Sequence, residues 1–198
     1  MEIRKANTSD VKDIVRIHCS AFEGFFLTSL GESFLKFYYF CFVKSNETVS
    51  CVAVNKGKVV GFSAATKVCK GFNSRLIKQN FVSFALLSMK LLFTNPRALL
   101  RLMKNLTKKG DSVEDNEEYA ELYSIGVDHG QQGKGIGKKL LGETERFMKE
   151  EGVKRVSLTT DYDNNKSAVG FYHSMGYETL YEFVTYPNRK MHRMIKIL

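Results

Sequence analysis

One segment constrains this chain more than any other: Val127-Asp128-His129-Gly130-Gln131-Gln132-Gly133-Lys134-Gly135-Ile136-Gly137, a glycine-rich turn between a strand-like run and an amphipathic helical run. Residues 119–127 read as a strand, and 135–150 carry Ile136, Leu140, Phe147 and Met148 on one helical stripe. Lys138, Lys139, Glu143, Glu145 and Lys149 are expected to face outward. A second strand at 155–160 and a helix at 165–175 follow. Strand, helix, strand implies a parallel pair joined by a crossover helix, and therefore a mixed α/β sheet. The first turn of the helix leaves backbone N–H groups without partners at the positive end of the peptide dipoles, and glycines let a phosphate approach them closely. Glycines also serve simple tight turns, and Lys134, Lys138 and Lys139 are ordinary on a solvated helix face. The turn alone is thus compatible with a diphosphate without requiring one.

The rest of the chain reads as one domain. At 198 residues it is long enough to bury roughly 70% of its unfolded surface. Residues 2–6 form a short strand; Thr8, Ser9 and Asp10 offer caps to a helix running toward Phe22, with Val11, Ile14, Val15 and Ile17 as its apolar positions. Phe34, Phe37, Tyr38 and Phe42 recur at helical spacing over 31–43, a run that propensity alone would also allow as a strand. Strands at 48–54 and 59–66 flank Asn55-Lys56-Gly57-Lys58, a hairpin signal in which Asn and Gly take up positive φ. A helical insertion occupies 67–106, broken at Asn95-Pro96, and a mobile acidic loop completes 67–118. Two strands near 177–184 and 193–197 close the chain.

Several function classes lose their support. Cys19, Cys41, Cys51 and Cys69 are widely spaced with no CxxC pair and no histidine at ligand spacing, so no metal site is expected. No Gly-Lys-Ser or Gly-Lys-Thr completes a P-loop, and Gly-x-Gly-x-Gly is not the dinucleotide spacing. The opening MEIRKANTSD lacks an apolar run, which points to the cytoplasm. The apolar stretch 81–93 falls short of the roughly 20 residues a membrane span needs and reads as a buried or half-buried helix, with contact to a membrane surface the alternative. A net charge of +9 favours anionic partners, but the basic residues are dispersed without a nucleic-acid-binding motif. His18, His173 and His192 read as packing or surface residues.

Gln132-Gly133-Lys134-Gly135-Ile136-Gly137 resembles the Gln/Arg-x-x-Gly-x-Gly/Ala signature of the GNAT superfamily of N-acetyltransferases. Some 30 residues later, Asn165, Ala168, Phe171, Tyr172, Gly176 and Tyr177 stand in the register of that family's second motif, Asn-x-x-Ala-x-x-Phe-Tyr-x-x-x-Gly-aromatic. Ile3-Arg4-Lys5-Ala6 with Ser9-Asp10 resembles its opening, so the likeness spares only 67–118. His129-Gly130 departs from the proline many relatives carry, and Gln132 takes a position often held by arginine.

The resemblance implies a central mixed sheet of six to seven strands with a splayed parallel pair flanked by helices, and an acetyl-CoA-binding core at 119–177. It implies acetyl-CoA as acyl donor, its pantetheine arm between the splayed strands against the backbone of Ile125, Gly126 and Val127. The diphosphate would lie on Gln132, Gly133, Lys134, Gly135, Ile136, Gly137 and Lys138, and Asn165, Ala168 and Phe171 would approach the arm. Tyr172 takes the position of the general acid for the departing thiolate. Glu121 stands where some members place a general base; a structural or substrate-binding carboxylate is the competing reading. Asn165 also suits a helix cap. A primary amine with a pKa of roughly 10.4 is protonated at pH 7 and must lose a proton before it attacks. Phe25, Phe26 and Leu27 are candidate acceptor-binding residues, and the aromatic run at 21–27 resembles relatives of surface polysaccharide assembly, implying an amino-sugar or nucleotide-sugar acceptor. A protein amine as acceptor, or a non-catalytic acyl-CoA-binding module, is the alternative. A homodimer is compatible with the aromatic content.

Overall fold

Where the chain can alternate side chains between two buried faces it forms strands, and seven of them make one sheet. The computed structural model describes residues 1–97, 99–100, 115–185 and 188–198. Its strands are β1 (Glu2–Lys5), β2 (Thr48–Asn55), β3 (Lys58–Thr66), β4 (Ala120–Val127), β5 (Arg155–Asp161), β6 (Glu178–Thr185) and β7 (Arg189–Ile197). They lie in the order β1-β2-β3-β4-β5-β7-β6, and β4 with β5 is the parallel pair among antiparallel neighbours. This is the mixed sheet the resemblance implied.

Helices cover both faces. On one, α6 (Ile136–Glu150) and α7 (Lys166–Ser174) lie over Cys51, Ala53, Ala120, Leu122, Val156 and Leu158. On the other, α1 (Val11–Ala21) and α3 (Glu32–Lys44) bury Ile14, Val15, Leu35, Tyr39 and Phe42 against Val52, Phe62 and Ala64. Cys51 and Val52 are neighbours in β2 and serve opposite cores, as the two-residue period of a strand dictates. Leu140 is fully buried in α6, and truncating it to Ala costs about 2–5 kcal/mol. A third cluster joins the short α2 (Phe26–Ser29) and α3 to α5 (Phe81–Thr94) through Leu30, Phe34, Phe84 and Leu91.

Local expectations needed adjustment in five places. Asn7, not Thr8, Ser9 or Asp10, caps the first turn: its side chain accepts from Ser9 N–H, and Asp10 accepts from Asn7 N–H, because a 3-10 turn at Thr8–Asp10 precedes α1. In the hairpin, Lys56 (φ 50°) and Gly57 (φ 76°) form the turn, and Asn55 remains in the strand. The insertion breaks at Asn95 as expected, where α5 ends, and also at Asn80, where α4 (Phe72–Gln79) meets α5 at 93° and the Asn80 amide donates to Leu76 O at 2.9 Å. Glu145 is buried against Lys196 at 2.6 Å instead of facing water. Strand β7 starts four residues earlier than its apolar end suggested. The expected helix beyond residue 100 and the loop over 108–114 lie outside the described residues.

Candidate acyl-transfer site

The site begins as a defect in the sheet. β4 pairs with β5 only through Ala120–Val156, Glu121–Ser157 and Leu122–Leu158. At that point β4 carries a bulge against β3: Ala65 opposes Leu122, Ala64 opposes Ser124, and Tyr123 is left over. A bulge bends its strand. From Tyr123 to Val127 β4 runs without β5 beside it, while β5 continues to Asp161 paired with β7. The parallel pair therefore opens into a cleft lined by backbone groups that no ladder uses.

A cavity of about 730 Å³ lies on the α6 side of this cleft, lined by Ile125, Val127, Gln132, Gly133, Gly135, Ile136, Gly137, Lys138, Asn165, Ala168, Phe171 and Tyr172, with Gln131 and Ser167. Of the residues the sequence assigned to acetyl-CoA, only Gly126 and Lys134 do not line it. Gly126 is buried in β4, where an added Cβ would stand 2.9 Å from the Phe62 ring. Lys134 turns back on its own loop, donating to Gly130 O and Gln131 Oε1.

Chain geometry makes the floor of this cavity. Gly133 and Gly135 adopt φ of 76° and 73°, which L side chains seldom take, and a Cβ at either would meet nothing within 4 Å. Gly135 precedes α6 without a side-chain cap, so the first N–H groups of the helix stay unpaired beside open space. The turn is pinned from behind: Asp128 N–H bonds Val60 O, Arg16 pairs with the Asp128 carboxylate at 2.7 Å, and a His129 ring nitrogen meets Ser20 O. An anion of diphosphate size fits this cradle through main chain and helix dipole alone.

A second cavity, of about 420 Å³, lies on the other side of the cleft and shares Ile125, Asn165, Ala168 and Tyr172 with the first. Phe25, Phe26 and Leu27, singled out for the acceptor, line it with Phe22, His18, Thr159 and Met191. Asp161 and Arg189 form an ion pair in its wall, and Phe25 lies under the Arg189 guanidinium at 5.2 Å. Tyr172 thus stands where the two cavities meet. Desolvation pushes its hydroxyl up to about 12, so it holds its proton across the physiological range. Asn165 does not cap α7 with its side chain; the amide donates to Thr160 Oγ1 at 2.6 Å and Asp161 O at 3.1 Å, tying the helix to the end of β5.

Residues 11–177 match the model of the "Acetyltransferase (GNAT) family". The chain belongs to that family. Acetyl-CoA is the acyl donor of GNAT acetyltransferases, and the cradle and cleft described above fit its diphosphate and arm. A mycothiol acetyltransferase from Kocuria rhizophila is 35% identical over 80 residues, covering 40% of this chain and 26% of that protein. The chain thus spans about a quarter of the length of the curated relatives it matches. Among solved structures, the ribosomal-protein-alanine N-acetyltransferase of Brucella melitensis superposes with a TM-score of 0.64 at 18% identity, covering 100% of both chains. The PaiA N-acetyltransferase of Thermoplasma acidophilum, in complex with coenzyme A, gives 0.60 at 17%, covering 100% of this chain and 98% of that one. Both likenesses are of fold.

Two features of this GNAT site differ from, or add to, the sequence reading. Glu121 lines neither cavity: it is buried, accepts from Arg193 Nη1, and accepts a 2.8 Å hydrogen bond from the Cys69 thiol. His18, read as a packing or surface residue, is a wall of the second cavity. Tyr39 Oη lies 2.8 Å from its Nδ1, its Nε2 has no described partner, and burial lowers its pKa to about 4. The signal for His18 was only its place on the inner stripe of α1, which a core residue shares. Among the described residues no cluster of His, Cys, Asp or Glu is arranged to hold a metal ion.

Proposed function

We propose that this chain is an N-acetyltransferase that moves acetyl from acetyl-CoA to a primary amine of a small molecule, of the amino-sugar or nucleotide-sugar class. The observation that carries the reading is the pair of cavities meeting at Tyr172 across the β4–β5 cleft. One side offers an anion cradle and open backbone for the donor; the other offers aromatic walls with the Asp161–Arg189 pair for a polar acceptor. Acetyl-CoA would supply the acetyl group as a thioester. The chain's own part is then to align the two reactants, which converts a bimolecular encounter into an intramolecular one, and to keep a proton at the departing sulfur. The amine nitrogen forms the new C–N bond, the C–S bond breaks, the sulfur gains a proton from Tyr172, and the nitrogen releases one to water, from which Tyr172 regains its own. The proposed role of Glu121 is structural, since it is paired with Arg193 away from both cavities.

Calorimetric titration with acetyl-CoA and with CoA, comparing wild type and Gly135→Asp, tests the donor half. An Asp side chain at Gly135 enters the cradle with negative charge, and Asp tolerates the left-handed backbone better than most residues, so the variant is expected to fold. Micromolar binding by wild type and none by the folded variant supports the reading. Equal binding by both would remove the cradle from it. Binding without free-thiol release in the presence of amino-sugar acceptors would indicate an acyl-CoA-binding module instead.

A further inference from the structure

Helix α5 is apolar around most of its circumference, yet only one side of it is covered. Its sequence, FVSFALLSMKLLFT, carries a single charge, Lys90. Phe84 and Leu91 are buried toward α2 and α3, while Val82, Leu86, Met89 and Phe93 recur at i, i+4, i+7 and i+11 on the outer side, Val82 70% and Phe93 85% exposed. A helix hydrophobic all round belongs inside a protein or against lipid. This one is half outside.

The charge around it is one-sided as well. Residues 67–97, which hold α4 and α5, contain six Lys and Arg and no Asp or Glu. Lys67 and Arg75 are engaged by Glu151 and Glu47, but Lys70, Lys78, Lys90 and Arg97 are exposed and form no ion pair with a described residue. A second copy would set the same excess of positive charge against itself, and nucleic acid would leave the apolar stripe uncovered. An anionic bilayer answers both the stripe and the charge.

We infer that the outer face of α5, with the exposed lysines of α4 and α5, docks this protein on the surface of an anionic lipid bilayer. The helix lies on the membrane and does not cross it. Its 14 residues reach about 21 Å against a hydrocarbon core of about 30 Å, and the 93° bend at Asn80 turns α4 aside. Lys90 sits four residues after Leu86, placed to extend its ammonium to the headgroups while its stem stays with the stripe. Phe26 and Leu27 pack on the inner side of α5 and also line the acceptor-side cavity, so the docked face and that cavity share a wall.

The chain has no tryptophan, so Phe93→Trp supplies a single fluorescent reporter at the most exposed position of the stripe. We expect a blue shift of its emission with phosphatidylglycerol vesicles, none with phosphatidylcholine vesicles, and at least tenfold weaker binding when salt is raised from 0.05 to about 0.5 M. In sedimentation with the same vesicles, wild type should pellet, while Leu86→Glu/Met89→Glu, and separately Lys78→Glu/Lys90→Glu, should stay in the supernatant. All four positions are exposed, so unchanged thermal melts should accompany the loss. Wild type remaining in the supernatant, or equal binding to both lipids, overturns the inference. So does a wild-type dimer that the Leu86→Glu/Met89→Glu variant converts to monomer, because a second copy would then cover the stripe. None of these readouts needs acetyl-CoA, and they stand or fall apart from the catalytic proposal.

Discussion

Tyr172 shows what one residue's surroundings do to its chemistry. Desolvation raises its hydroxyl to about 12, and raising an acid's pKa keeps the proton-bearing form present to higher pH. A free thiol titrates at roughly 8.5, so transfer from the phenol alone is uphill; in the proposed role a hydrogen bond from Tyr172 strengthens as charge gathers on sulfur, and the proton released by the amine replaces the one Tyr172 gives up. Two outcomes are expected in thiol-release assays. Tyr172→Phe should lower kcat by about 10²-fold with acetyl-CoA affinity little changed. In wild type, kcat/KM should climb from pH 7 to 9 as an alkylamine acceptor loses its proton, with no falling limb in that range, since Tyr172 stays protonated; a fall above pH 8 would mean another acid is at work. Tyr172 was legible because its motif register is local. His18 was not, because an inner-stripe residue of α1 looks the same in sequence whether it faces core or cavity, and only the bend of β4 decides that. Asn165 was legible as a helix-start residue, but its side chain went to Thr160 and Asp161, partners fixed by where β5 ends.

At the scale of the element, the turn into α6 separates two uses of glycine that the sequence prints identically. Gly135 has φ of 73° before the helix, whereas Gly142 lies within it; an added Cβ meets nothing within 4 Å at either. Sterics with neighbours are thus the same, and only backbone conformation differs. Gly142→Ala should stabilise by about 0.5–1 kcal/mol, since alanine costs less entropy in a helix. Gly135→Ala should destabilise by about 1 kcal/mol or more, since an L residue must take the left-handed region. Urea unfolding of the two variants measures the difference, and stabilisation at Gly135 would show that the cradle relaxes freely. Helix and strand types were readable from periodicity wherever one face is buried. The break at Asn80 was hidden because Lys78-Gln79-Asn80 contains no Gly or Pro and Ile77 and Phe81 keep an i, i+4 spacing across it, so the pattern did not signal the turn made by the Asn80 side chain. The bulge at Tyr123 was hidden for a related reason: β4 is buried on both faces there, and alternation that would mark a slipped residue is absent.

Across the whole molecule, the Glu121–Arg193 pair joins β4 to β7, strands that are not neighbours, with β5 between them. Arg193 also reaches Ser157 of β5 at 3.3 Å, and Cys69, before α4, donates to the same carboxylate; burial and that negative charge push the Cys69 thiol up. The cluster therefore clamps the paired end of the β4–β5 strands just before they part. Nothing in the sequence links Glu121 to an arginine 72 residues later, which is why a carboxylate beside the motif could be read as a base. Its two readings predict opposite behaviour. Side chains only 10% and 11% exposed make a buried pair, and removing one partner strands the other's charge, at about 3–5 kcal/mol. If the clamp is structural, Glu121→Gln and Arg193→Met should each lower unfolding free energy by a few kcal/mol. The double variant should then lose less than the sum, because neither charge is left alone. Turnover per folded molecule, measured well below the lowered melting temperatures, should stay within a few-fold of wild type in all three. If Glu121 instead takes the amine's proton, Glu121→Gln should lose 10² or more in kcat while Arg193→Met, which leaves the carboxylate in place, keeps most of it. The split between those two single variants decides whether this carboxylate holds the cleft open or works inside it.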